Sequence, residues 1–593
     1  MNARKALLAA ASAFLLGGAH AQVAMRTLDL SAQKPDWQSV IGGEAIAPAV
    51  ETSYGIAVLT DGRMLSSCTS KGNVIWKKGV NGRPSKYFTE RDDFLYVVTN
   101  DKKITLVNQS GTNLWTASNS FRITENPVIG HDGRIFVHGQ SALACFGING
   151  TRKWQVETGK IADMPTCLLN DGSVVIFMAD TKDGKTTGKR FSQFGEEMED
   201  LIFSSVVQTA VSCEQGILVA LQNGSIGLCN VVNGLADSPW IQKSYIPSGA
   251  FAICYSKASG NAAFFFSTGG NTTAIILRTS NGEFLNQFAL KRFSPGEIQL
   301  AKQTDAGFFI ADSSTACEFA EDGTIIWEAA LPQKSQWDFL YYTRSNHLIL
   351  CMKDWSLKSF HTMQTTKAVY KDFWDDTYSS DIGEAEKPDT PEDAIKKQEI
   401  TQSDRILGIR MFSDEKLAET QKALKAGDYG RKEREFLVGI QSELASYKES
   451  FYQKNPSQSY FARNPIYTQK LLAMMAQIGC SGFSTDFATL IRYERDPQLL
   501  SALVYASGQQ MFDPDGEILT SYEIAIRSPQ LQKNTALLKN VCDATFSICK
   551  YMGRPALINH GKEILRQLGS PVYDTTVREY ASKTFERFAS IEM

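Results

Sequence analysis

What the chain lacks narrows its chemistry first. Its 593 residues hold only six histidines, and His131, His138, His347, His361 and His560 stand at no metal-site spacing from one another or from Cys or acids, so they read as structural. Eleven cysteines are scattered singly, without a C-x-x-C or an adjacent pair. An odd count leaves at least one thiol unpaired, and contexts such as Ala144-Cys145-Phe146 read as buried small hydrophobes rather than a disulfide framework. Cys542 and Cys549, on one expected helix face, leave their pairing open. A marked excess of either charge is also missing. Lys+Arg 61 against Asp+Glu 64 gives a net charge of -3, which carries no footprint for nucleic acid. There is no Walker loop, G-x-S-x-G or strand-to-helix G-x-G-x-x-G.

The N-terminus reads as an export signal. Arg4 and Lys5 precede an apolar run from Ala6 to Gly18, and Ala19-His20-Ala21 is an A-x-A cleavage site that makes Gln22 the first mature residue. The run is short of the ~20 residues a membrane span needs, and no later segment reaches that length. No Cys follows the cleavage site, so lipid attachment there is not indicated. A soluble mature protein is expected, in a periplasm or outside the cell.

The chain then repeats itself. Lys71-Gly72-Asn73-Val74-Ile75-Trp76, Ser110-Gly111-Thr112-Asn113-Leu114-Trp115, Asn149-Gly150-Thr151-Arg152-Lys153-Trp154 and Asp322-Gly323-Thr324-Ile325-Ile326-Trp327 each set a turn glycine four residues before a tryptophan. The first three glycines recur every 39 residues. The interval from Gly150 to Gly323 leaves room for four steps of about 43, within the range of a four-stranded propeller blade. Worn copies are read at Phe194-Gly195, at Asn233-Gly234 with Trp240, at Asn281-Gly282-Glu283-Phe284, and at Thr366 and Tyr370. Upstream of the tryptophan motif, Asp61-Gly62, Asp132-Gly133 and Asp171-Gly172 mark hairpins between alternating strands, because Gly tolerates the positive φ of a tight turn. The expected place of the recurring Trp is between blades, where a large ring buries much apolar area.

A strand, an Asp-Gly turn, a strand and a Gly-x-x-x-Trp every 40 or so residues resemble the PQQ-like propeller superfamily. That family includes quinoprotein dehydrogenases and the propeller subunit of the outer-membrane barrel assembly machinery. The resemblance implies a propeller of about eight blades over residues 45–371, with 1–21 as signal peptide. Within 22–44, Thr27-Leu28-Asp29-Leu30 is the candidate ring-closing strand. Residues 372–402 form a linker: from Asp375 to Asp393 there are eight acidic residues against one Lys. Residues 403–593 read as all-α. Asn464-Pro465, Asp496-Pro497 and Ser528-Pro529 lie 32 residues apart and combine a capping residue with a first-turn Pro. With Asp574 capping the last helix, the region from about 464 resembles a HEAT-like solenoid.

A quinoprotein dehydrogenase would, by that resemblance, need a calcium-bound quinone, a catalytic carboxylate and in many members a Cys pair. No position here can be assigned as calcium ligand or base, and no cofactor or metal is expected. Asp513-Pro514-Asp515-Gly516-Glu517 has some look of a calcium loop, but its place between two helices favours capping acids. Asn108, Asn149, Asn223 and Asn271 open glycosylation sequons at expected hairpin tips. The residues expected to matter are those of the repeat: Gly72, Trp76, Gly111, Trp115, Gly150, Trp154, Gly323 and Trp327. The expected function is a non-catalytic protein-interaction scaffold of the cell envelope with unidentified protein partners. A PQQ enzyme and a carbohydrate- or peptidoglycan-binding module stand as alternatives.

Overall fold

The computed structural model describes residues 26–362, 414–426, 433–434, 436–440, 444 and 465–591, apart from 180–183, 233–234, 243–249, 269–270, 291–292, 294–297 and 480–481. The signal peptide, the acidic segment and the repeat read at Thr366 and Tyr370 lie outside the described residues, as does Asn233-Gly234.

Eight antiparallel sheets follow one another along residues 26–361. Blades 1 to 8 hold residues 50–79, 84–118, 128–157, 167–202, 207–242, 250–290, 300–330 and 337–361. Each is a meander, strands A to D in chain order, except that blade 8 takes its fourth strand from the N-terminus. A-strands of neighbouring blades contact one another and therefore surround the axis. Eight separate apolar cores are buried, one in every gap between blades. Successive residues of a strand face opposite gaps: Phe264 packs toward blade 5 and Phe265 toward blade 7. The middle strands are consequently buried on both faces. Gly55–Leu59 and Phe94–Thr99 are buried at every position, where half-buried alternation was expected.

The ring-closing strand is not Thr27-Leu28-Asp29-Leu30. Strand β1 (Arg26–Asp29) lies parallel on the outside of blade 7, opposite residues 327–330. Strand β2 (Trp37–Val40) closes the ring by pairing antiparallel with Ser356–Ser359. The physical reason is in the side chains. β2 delivers a Trp to the joint with blade 1, and β1 has none to offer. The Asp-Gly turns also differ in phase. Asp61-Gly62 joins strands B and C of blade 1, whereas Asp132-Gly133 and Asp171-Gly172 join A and B.

The helices of the C-terminal part include α1 (Asp414–Ala426), α2 (Pro465–Ile478), α3 (Phe483–Tyr493), α4 (Pro497–Gln510), α5 (Glu517–Ile526), α6 (Thr535–Met552), α7 (Pro555–Leu568) and α8 (Thr575–Arg587). α2, α4, α6 and α8 pack in one row, and α3, α5 and α7 in a second. Asp496 caps α4, accepting from the amides of Gln498 and Leu499 at 2.9 Å. Asp574 accepts from Thr576 N at the start of α8. Ser528-Pro529 opens a turn instead of a helix, because Asn534 takes the capping role for α6 by accepting from Leu537 N. Asp513 is a cap too, accepting from the amides of Ile518 and Leu519 at 3.2 and 3.0 Å. No helix of the described residues is long and apolar enough to cross a membrane.

Candidate functional site: the turns of the propeller and the helices they hold

The repeated glycine and tryptophan meet across the gap between blades. A Cβ on Gly111 would lie 2.7 Å from the Trp76 ring, one on Gly150 2.6 Å from Trp115, and one on Gly195 2.7 Å from Trp154. Each ring of strand D lies flat on the C–D turn of the next blade. Its indole N–H donates to a carbonyl two residues before that glycine: Trp76 to Gln109, Trp115 to Ile148 and Trp154 to Gln193, at 2.8, 2.8 and 2.9 Å. The glycines have φ of +76°, +77° and +82°, so neither the backbone nor the space accepts a side chain. The Trp37 ring of β2 likewise lies over Gly72, with a Cβ contact of 2.4 Å. The eighth blade thus obtains its ring from the N-terminus.

Two copies depart from this pattern. Phe288, not Phe284, covers Gly323, and Phe284 is exposed. Trp327 faces blade 8, where strands C and D are not joined by a turn, so there is no glycine to cover. Its N–H goes instead to Glu318 Oε2 at 2.7 Å, and its ring packs on Phe309 and Tyr342.

The helices dock end-on upon the C–D and A–B turns of blades 2 and 3. Asn108 Nδ2 donates to the carbonyls of Lys550 and Tyr551 at 2.8 and 3.1 Å, in the last turn of α6. Asn149 Nδ2 donates to Gln477 O at 2.8 Å, in the last turn of α2. Lys153 Nζ reaches Ile478 O at 2.5 Å, and the Tyr551 hydroxyl donates to Ile148 O at 2.7 Å. The C-terminal ends of helices carry orphan carbonyls and partial negative charge, so amide and ammonium donors suit them. Both helices end in left-handed glycines, Gly479 and Gly553. Their missing side chains admit the asparagines, since a Cβ would come within 3.1 Å of Asn149 and 2.6 Å of Asn108.

A buried ionic chain lies beneath. Glu433 accepts from Arg134 and from Lys153, both at 3.0 Å, and Arg134 also pairs with Asp132 at 2.5 Å. The side chains of Glu433, Arg134 and Lys153 are 1%, 5% and 2% exposed. Burial by itself raises the Glu433 carboxyl, but the two cations outweigh it and hold the group below its ordinary range. Phe94 contacts Phe512 and Tyr551, and the core between blades 2 and 3 runs on without a break into the helices.

A second polar cluster clasps the ring where its ends meet. Glu51 of blade 1 accepts from the Tyr341 hydroxyl at 3.2 Å and the Arg344 amide at 2.9 Å of blade 8, and sits 3.5 Å from Lys302 of blade 7. Beside it Glu90, desolvated and close to Asp93, is pushed up to about 8. The ten described cysteines are buried, Cys542 and Cys549 included; burial pushes Cys167 and Cys254 up to about 12, away from thiolate chemistry. His347 and His361 are cross-strand partners with ring centroids 4.8 Å apart, a pairing their sequence spacing does not reveal. Among the described residues no three metal-ligating side chains converge.

The sequence motif singled out Gly111, Trp115, Gly150 and Trp154, and the structure brings these to the docking face. Asn108, Asn149, Arg134, Lys153, Glu433 and Tyr551 were not singled out for this role. A charged Lys inside a strand beside a turn Asn was the only available signal.

A family model described as "Outer membrane protein assembly factor BamB" matches two overlapping stretches, residues 29–181 and 60–234. That part of the chain resembles the BamB propeller. No curated protein matches the sequence significantly. Among solved structures, BamB from Moraxella catarrhalis is 13% identical with a TM-score of 0.42, covering 56% of this chain and 99% of its own. The computationally designed Ika8 protein gives 13% and 0.44, covering 55% and 98%. The C-terminal WD40 domain of Sif2 gives 9% and 0.46, covering 57% and 99%.

Proposed function

We propose that the chain is an exported, non-catalytic protein-interaction scaffold of the cell envelope, a propeller carrying a short HEAT-like helical solenoid. The observation that carries this reading is the way blades 2 and 3 already hold protein. Asn108, Asn149 and Lys153 receive helix ends at turns that recur around the ring. A surface built from repeated turns can receive further segments at its other blades without altering the core. The family match supports the same reading, since its description is that of an assembly factor. The A-x-A site after an apolar run supports export, with cleavage after Ala21.

The test is cross-linking of the tagged full-length protein in its own cell envelope, followed by purification. Recovery of the same protein partner in repeated experiments is the expected result. Retention of a quinone with calcium, together with dye reduction driven by alcohols or sugars, would overturn it. So would specific retention of glycan fragments and no protein.

A further inference from the structure

The helices sit on the A–B and C–D turns of blades 2 and 3, at one end of the propeller. At the opposite end, with the B–C turns, three adjacent blades share a feature: a residue with a side chain in left-handed backbone. In five blades one carbonyl of the B–C turn accepts from the amide that follows strand D. The pairs are Val80 to Arg63, Asn119 to Lys102, Thr158 to Ser141, Leu331 to Ser314 and Ile41 to Trp355. This shared bond makes Arg63, Lys102, Ser141, Ser314 and Trp355 equivalent positions. Blades 3 and 7 place a serine there without left-handed backbone. Blades 8, 1 and 2, neighbours in the ring, place Trp355, Arg63 and Lys102 there with φ of +65°, +58° and +63°.

Left-handed backbone is uncommon for any residue with a Cβ and an outlier for a bulky one. Nothing in the fold asks for these side chains. The Trp355 side chain is 55% exposed, and Val40 beside it is 58% exposed. The Arg63 guanidinium has no hydrogen-bond or ion-pair partner among the described residues. Lys102 rests on Ser120 O at 2.9 Å, and Lys77 on Val40 O at 2.8 Å, so both charges stay at the surface. The turn carboxylates are engaged locally, Asp61 by the Glu44 amide, Asp101 by Thr99 and Lys103, and Asp354 by Ser356. The result is an apolar ring followed by two cations, one per blade. Sheets stack about 10 Å apart, so an extended chain crossing them advances roughly three residues per blade.

We infer that the B–C face of blades 8, 1 and 2 binds an acidic, extended segment of a protein partner. An apolar side chain of that segment lies on Trp355 and Val40, and carboxylates about three residues apart meet Arg63 and Lys102. This rests on the scaffold reading and names a surface for it. A lipid surface would engage the cations and Trp355 without needing carboxylates at a fixed spacing, so vesicles form one arm of the test.

The probe is a fluorescent peptide of about ten residues with one leucine and then glutamate at every third position, serine elsewhere. Anisotropy measures its binding to the full-length protein at two salt concentrations. Saturable, salt-weakened binding is expected, reduced at least tenfold in the triple variant Trp355→Gly, Arg63→Gly, Lys102→Gly. Because glycine relieves the backbone, that variant should melt no lower than the parent, which separates lost binding from lost fold. Arg63→Glu with Lys102→Glu should instead prefer the lysine version of the peptide. Absence of binding, equal binding by the triple variant, or binding to phosphatidylglycerol vesicles in place of the peptide overturns the proposal. In envelope cross-linking, partners recovered equally by parent and triple variant would remove this face and leave the scaffold reading standing. Recovery of none by either would remove the scaffold reading, while the peptide result still judges the face.

Discussion

Replacing Glu433 by Gln tests the junction between propeller and helices most directly. The carboxylate is the shared counter-charge of Arg134 and Lys153, each 3.0 Å away and nearly inaccessible to water. Arg134 keeps Asp132 at 2.5 Å, and Lys153 keeps the neutral carbonyl of Ile478. The variant therefore takes the Glu433 counter-charge away from a buried ammonium. Removing one partner of a buried pair costs about 3–5 kcal/mol, and because Gln keeps an acceptor oxygen the lower end applies, about 3 kcal/mol or roughly a hundredfold in the docking equilibrium. The measurable consequence is faster proteolysis of the helical part at native conditions, with the propeller transition little changed. Adding Lys153→Met removes that buried charge and should recover most of the loss. The pH dependence has a defined sign. A carboxyl held below its ordinary value contributes stability at neutral pH and loses it as pH falls through the folded value. The parent should thus undock in acid, below the usual glutamate range, and the Gln variant should lack that limb. Equal protease resistance of parent and Glu433→Gln, or no rescue by Lys153→Met, would refute the reasoning.

Gly150→Ala combines a φ of +77° with a Cβ 2.6 Å from the Trp115 ring. A loss of about 2–4 kcal/mol is expected in denaturant unfolding of the propeller, and the variant should not regain stability when Trp115 is retained. Asn108→Ala leaves the carbonyls of Lys550 and Tyr551 without their buried donor. About 1–3 kcal/mol of docking stability should disappear, visible as faster hydrogen exchange in the last turn of α6. Asp513 sits at the start of α5 with its carboxyl pushed up to about 7, first by burial. Since the folded value is raised, its contribution is fully present below the ordinary carboxylate value and is lost as pH rises toward 7. Asp513→Asn should remove that decline in thermal melts while preserving the cap.

The ring was legible in the sequence because its joints are made of rare residues at a fixed period. A turn glycine and a ring four residues later can be counted, and Gly72, Gly111 and Gly150 fall in step. The copies that stayed hidden are those in which a neighbour supplies the part. Phe288 replaces a Trp, and blade 8 borrows Trp37 from a strand far away in sequence, which no local frame reveals. The linkage between the two parts was illegible for a related reason. Asn108 and Asn149 look like ordinary turn residues because turns favour Asn for its own backbone, and only the helix ends lying on them disclose a second use. Lys153 offered the stronger hint, since a strand position between blades is costly for an ammonium unless an acid from elsewhere meets it. The helix starts divide in the same way. Asp496-Pro497 and Asp574 work through local bonds and could be read, whereas Ser528-Pro529 lost to Asn534 because the packing of α6 decides which of two competent caps lies next to the core.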